Sequence, residues 1–312
     1  MPTVTNDGLS LYYETAGDPD AEPVVFLQGW GVGRWLWRWQ RRALADQFRV
    51  ILPDNRGTGQ SETPGGPGNV PELFVERTGR LWSNWLSMFW SPMLVDPWFR
   101  WLDGFDRPYT ISSMAGDLEA VLADAGVERA HVVGASMGGM IGLQYAIEYD
   151  RAKSLTLLGS TPGGRDAVLP DPDVQMKMAS GVARAADRAE LRRRTRIAMS
   201  EEFADANDDL VERILDWRAD ADATPRGRFL QAVAATSFDA NGRLSEVEIP
   251  TQVLHGTADR VLPVENGRLL ADRLPDASYT PIEGGSHLFF IEEPDRVNDH
   301  LRGFLREHRA EA

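Results

Sequence analysis

A serine stands at position 136 with a glycine two places to either side, in Gly134-Ala135-Ser136-Met137-Gly138-Gly139. The apolar residues 131–133 lead into this segment as a strand, and 137–149 follow with helical spacing. A strand-to-helix turn that tight leaves no room for side chains at the flanking positions, hence the glycines. It throws the serine hydroxyl out above the sheet edge. It also leaves the Met137 N–H without an intrahelical partner in the first turn, where the helix dipole favours negative charge. A nucleophile beside a ready oxyanion donor is equipment for acyl transfer through a covalent intermediate. The competing reading of the same residues is an ordinary Gly-rich turn.

An unaided hydroxyl is a poor nucleophile, so a base is required. Of the five histidines, His131 opens the strand before Ser136 and reads as structural. His255 ends a strand and comes too early in its motif to be the base, although it packs near the site. His300 and His308 fall on a terminal helical pattern and read as solvated. His287, in Gly284-Gly285-Ser286-His287, sits in a loop after the last strand, just before the apolar Leu288-Phe289-Phe290. There it can reach over the sheet edge. The acid that orients the base should lie between nucleophile and base in sequence. Asp259, in the loop after Gly256, meets that requirement; a turn aspartate is its alternative reading. A second oxyanion donor should come from the loop after the first buried strand. Leu27-Gln28-Gly29-Trp30-Gly31 offers the Trp30 N–H, with Gln28 beside the pocket, and a plain turn fits that segment equally well.

These residues need a sheet to hold them. Continuous apolar runs at 24–27, 49–53, 131–133, 155–158 and 251–254, with a shorter one at 278–282, predict buried strands. Helical patterns at 35–48, 137–149, 264–274 and 294–308 fall between and after them. The alternation predicts an α/β fold with a mostly parallel sheet covered on both faces. From about 163 to 246 the pattern holds no convincing strand. It reads instead as Arg- and Ala-rich helices at 173–186, 188–199, 208–219 and 227–235. The expected organisation is therefore a core of residues 1–164 and 246–312, with 165–245 inserted as a helical cap.

In this order, Gln28-Gly29-Trp30, Asp54-Asn55-Arg56-Gly57-Thr58-Gly59-Gln60-Ser61, the Ser136 turn, Gly256-Thr257-Ala258-Asp259 and Gly285-Ser286-His287 resemble the α/β-hydrolase superfamily. The likeness is closest to its capped esterases, enol-lactone hydrolases and cofactor-free perhydrolases, and it spans most of 8–63, 109–164 and 247–308. It implies the α/β-hydrolase fold, the catalytic residues Ser136, His287 and Asp259, and an oxyanion hole from the Trp30 and Met137 N–H groups. One departure is Gln28, where the family usually has histidine. Serine at the turn argues against dehalogenase and epoxide hydrolase chemistry, which on this fold use aspartate.

The leading expectation is a serine hydrolase acting on a small-molecule ester or lactone, with no cofactor and no metal. C–C bond hydrolysis, acyl transfer or perhydrolysis would use the same residues, and a catalytically silent binding protein is the alternative of another class. A formal charge of −14, from 47 acidic and 33 basic residues, argues against nucleic-acid partners and anionic membranes. The chain has no cysteine, which excludes disulfides, thiolate nucleophiles and cysteine-ligated zinc. No secretory signal and no membrane span is evident, so a cytoplasmic protein without stable membrane insertion is expected. Residues 64–108 form an unusual insert holding five of the ten tryptophans, Trp82, Trp85, Trp90, Trp98 and Trp101. The expectation is a second lid, with Trp85 and Trp90 making the acyl site apolar. A homodimer contact and a lipid-facing surface are its alternatives.

Overall fold

The structure is a computed structural model that describes residues 2–64, 109–179 and 187–309. The tryptophan insert, Trp85 and Trp90 included, lies outside the described residues.

Eight strands form one sheet in the order β1-β2-β4-β3-β5-β6-β7-β8. They are β1 (Thr3–Asn6), β2 (Leu9–Ala16), β3 (Pro23–Leu27), β4 (Arg49–Pro53), β5 (Ala130–Ala135), β6 (Ala152–Leu158), β7 (Thr251–Gly256) and β8 (Ala277–Ile282). From β4 to β8 every neighbouring pair is parallel, whereas β1–β2 and β2–β4 are antiparallel. The first two strands escape a search for apolar runs because β2 mixes Ser10, Glu14 and Thr15 into its length. Their signal is instead the turn: Asp7 and Gly8 both take positive φ, 49° and 74°. An Asp-Gly pair is a favoured two-residue hairpin connection for that reason.

Alternate residues of each strand face opposite layers. Val25, Leu27, Ile51, Val132, Leu155 and Val253 pack under α2 (Ile111–Asp124), α3 (Met137–Glu148) and α9 (Glu265–Arg273). Val24, Phe26, Val50, Leu52, Val133 and Leu254 pack under α1 (Arg38–Leu44), α10 (Phe289–Glu292) and α11 (Pro294–Glu307). Both faces of the parallel part are thus covered, as its unbroken apolar strands require. The expected helix at 35–48 is shorter than its pattern. A 3₁₀ turn spans Arg34–Trp37, and α1 ends at Leu44 so that the chain can turn into β4.

Between β6 and β7 come α4 (Pro172–Ala179), α5 (Arg188–Ile197), α6 (Glu201–Ala206), α7 (Asp208–Ala221) and α8 (Pro225–Thr236). The only β pairing there among the described residues is a bridge from Gly163 to Asp239. Helix α6 is not foreseen by the apolar spacing. It starts at Ser200, whose hydroxyl accepts from Phe203 N at 3.2 Å, an N-cap. Among the described residues no helix is long and apolar enough to cross a membrane.

Sheet order reverses at β3, which lies between β4 and β5. Loops leaving the carboxyl ends of strands on either side of such a point open a crevice, the usual ligand site of an open parallel sheet.

Candidate active site

Ser136 joins β5 to α3 with φ 55° and ψ −120°. A non-glycine residue in that region is strained by about 1–3 kcal/mol and needs surroundings that hold it there. Its N–H donates to Leu158 O at 3.0 Å, and its carbonyl accepts from Gly139 N and Ser160 Oγ, each at 2.9 Å. The neighbouring glycines permit the close approach. A methyl group on Gly134 would run into the Gly138 backbone, and one on Gly138 into the Leu27 carbonyl. The first turn of α3 therefore lies directly against the end of β3. A Cβ on Gly29 would come within 3.3 Å of the Ser136 Cβ, so the loop after β3 runs alongside the serine.

Asp259 follows β7 and is only 6% exposed. Its Oδ1 accepts from Val261 N at 2.8 Å and from Leu262 N at 2.9 Å. Its Oδ2 lies 2.7 Å from His287 Nδ1. A carboxylate is acceptor-only, so Nδ1 carries the proton and the lone pair of the neutral ring is at Nε2. Burial pushes the Asp259 pKa up. The contacts with His287 and with the buried His255 outweigh burial and lower it to about 2. His255 Nε2 donates to Leu262 O at 2.8 Å and stands 3.4 Å from the same carboxylate. Two imidazoles therefore share one acid.

The residues flanking His287 are tied to the helical block. Ser286 Oγ, at 3.0 Å, and Leu288 N, at 2.9 Å, both donate to the Ala198 carbonyl just beyond α5. Half-buried Glu292 accepts from Ser200 N at 2.7 Å and stands 2.9 Å from Ser286 Oγ, whose one proton is shared between it and the Ala198 carbonyl. The loop that carries the histidine is thereby set by the helices inserted before β7.

Ser136 and His287 line one cavity together with Gly29, Trp30, Val32, Leu36, Val261, Phe290 and others. It measures about 120 Å³. One water needs roughly 10–15 Å³ on that measure, so a ligand of several heavy atoms fits. Trp30 is fixed by Nε1 donating to Arg228 O at 2.8 Å. Met137 is the first residue of α3, so its N–H has no intrahelical partner. Gln28 lies elsewhere than expected: it is fully buried and not among the lining residues, and its Nε2 donates to Pro53 O at 2.5 Å. Among the described residues no cluster of three or more His, Asp or Glu side chains is arranged to hold a metal ion.

The helical block contributes Met178, Arg194, Ile197, Ala198, Arg218 and Arg228 to the same cavity. These arginines are absent from the sequence-level site. An Arg-rich helical pattern reads as a solvated face, and no local signal marks which of its members turn inward.

A family model described as the alpha/beta hydrolase fold matches residues 22–294. The RutD protein of Azorhizobium caulinodans, whose name ascribes carbamate hydrolysis to it, is 28% identical over 98% of this chain and 99% of its own. A 3-oxoadipate enol-lactonase of Acinetobacter baylyi is 26% identical over 97% of this chain and 96% of its own. In three dimensions the chain is similar to an enol-lactonase of Burkholderia xenovorans LB400, with a TM-score of 0.74 at 22% identity, covering 98% of this chain and all of the other.

Proposed function

The chain belongs to the α/β-hydrolase family and is an enzyme of that fold, and from that membership we propose that it is a serine hydrolase of small esters or lactones. The observation that carries this reading is the buried Asp259–His287 pair, at 2.7 Å, opening on the same cavity as a serine held at φ 55°. Ser136 Oγ attacks the acyl carbon as His287 Nε2 takes its proton. The resulting oxyanion is held by the Met137 and Trp30 N–H groups. Collapse breaks the acyl–oxygen bond, and the imidazolium returns its proton to the leaving oxygen. Water, activated by the same imidazole, then releases the acid from Ser136. Asp259 keeps the proton of the resting base on Nδ1 and stabilises the imidazolium. The enol-lactonase and carbamate-hydrolase relatives are named for carbonyls open to the same attack. Residues 165–245 act as a cap that selects the substrate through the side chains they send into the cavity.

The test is a panel of 4-nitrophenyl esters and simple lactones, run beside active-site labelling with a fluorophosphonate. Turnover and a single label are expected on the wild type, with both lost in Ser136→Ala. Labelling that persists in Ser136→Ala overturns the assignment.

A further inference from the structure

Three arginines line the cavity that holds Ser136 and His287, and no Asp or Glu among the described residues lines it with them. Two of the three have carboxylates behind them. Arg194 Nε donates to Glu190 at 2.8 Å, and Arg218 Nε lies 3.0 Å from Asp222 in ion-pair contact. Asp222 is further committed, since its Oδ1 accepts from Gly33 N at 3.1 Å and Trp35 Nε1 at 2.9 Å. Arg228 is different. It is 5% exposed, and among the described residues no carboxylate lies within ion-pair distance of it. Its side chain hydrogen-bonds there only to Ala223 O, 3.5 Å from Nη2, at the outer limit for such a bond.

A guanidinium stays charged at neutral pH, and burying it without a counter-charge is costly. Burial, then the neighbouring Arg194, lowers the Arg228 pKa to about 10, which still leaves it protonated. Its position is also informative. A Cβ on Gly31 would stand 3.0 Å from Arg228 Nε, so the guanidinium stem runs along the loop that carries Trp30. Arg228 therefore lies beside the loop that, two residues earlier at Gly29, runs alongside Ser136, and it lines the same cavity as that serine. Among the described residues the lining arginines outnumber the carboxylates they pair with, and Glu190 is shared with Arg193 as well, so the cavity carries a surplus of positive charge, which suits an anion. The overall charge of −14 makes such a surplus a local construction rather than a consequence of composition.

We propose that this cavity selects substrates carrying a carboxylate a few bonds from the scissile carbonyl, with Arg228 as the group that recognises it. The guanidinium fork suits a planar carboxylate bidentately. The proposal deepens the hydrolase reading and rests on it for turnover, but not for binding.

Mono-4-nitrophenyl glutarate and 4-nitrophenyl pentanoate differ at the far end of the acyl chain by a carboxylate. Each rate is corrected for enzyme-free hydrolysis. The wild type should favour the glutarate in kcat/KM by about 10-fold or more, the worth of a charge-assisted hydrogen bond. Arg228→Gln should reduce that ratio by about 10- to 100-fold, and Arg228→Lys should restore part of it. A wild-type ratio near unity, or one that Arg228→Gln leaves unchanged, overturns the proposal. A second measurement needs no turnover and no arginine variant. In Ser136→Ala, pentanoate should raise Tm and bind by calorimetry where pentanol does not. Equal binding of pentanoate and pentanol overturns the proposal, and phosphate competing as well as pentanoate overturns the carboxylate assignment. If neither ester is turned over, the hydrolase reading fails and the pentanoate titration still decides this one.

Discussion

Asp259→Asn separates the role of charge at this acid from the role of shape, and the structure sets the outcome. One carboxylate oxygen accepts from two backbone N–H groups, Val261 at 2.8 Å and Leu262 at 2.9 Å, while the other meets His287 Nδ1 at 2.7 Å. Asparagine has one oxygen and must place it on one side. If the oxygen stays with the two N–H groups, the NH₂ faces Nδ1. If the amide flips, the NH₂ faces two donors and both lose their acceptor. A buried donor left without a partner costs about 1–3 kcal/mol, so the unflipped amide wins by roughly 2–6 kcal/mol. In that orientation Nδ1 has to accept, and the ring proton moves to Nε2, the atom needed as base. Turnover should fall by about 10⁴, or roughly 5.5 kcal/mol of transition-state stabilisation, with the fold retained. His287→Ala should cost more, on the order of 10⁶. The assay is kcat/KM on 4-nitrophenyl butyrate, with circular dichroism to verify folding. A folded Asp259→Asn variant that loses less than about 100-fold refutes the tautomer assignment, since removing the base should cost far more.

Ser136→Gly should be more stable than Ser136→Ala by about 1 kcal/mol, because glycine relieves the positive φ at some entropic cost; equal denaturation midpoints would remove the claim of strain. Gly138→Ala should destabilise by about 1–3 kcal/mol and abolish turnover, since its methyl meets the Leu27 carbonyl; an unchanged midpoint in urea counts against that contact. Buried His131 has its pKa lowered to about 4, by burial first, with Glu22 opposing and Lys153 adding to the shift. The unfolded chain therefore takes up the proton first. The stability that His131 confers is intact above pH 6.5 and is lost as pH falls toward 4, up to about 3 kcal/mol. His131→Gln should flatten that stretch of the stability–pH curve, and an unaltered slope refutes the assignment.

Much of the frame is legible in the sequence because its signals are short-range. Strands β3, β4 and β5 are unbroken apolar runs, and the Ser136 turn is written in glycines that steric contact requires within a few residues. The order of Ser136, Asp259 and His287 places each in a loop after β5, β7 or β8. What those loops meet is another matter. Gln28 can be read as a pocket residue from its neighbours, yet its amide is drawn inward to Pro53 O, 25 positions away in the chain. His255 comes within 3.4 Å of the Asp259 carboxylate because its Nε2 donates to the carbonyl of Leu262, whose own N–H donates to that carboxylate. Arg194, Arg218 and Arg228 look like the solvated face of charged helices, and only the packing of α5, α7 and α8 against the end of the sheet turns them into the cavity. Steric and conformational preferences act over a few residues and can be read along the chain. Burial and charge pairing depend on what distant segments bring within a few ångströms, so tertiary structure alone decides them.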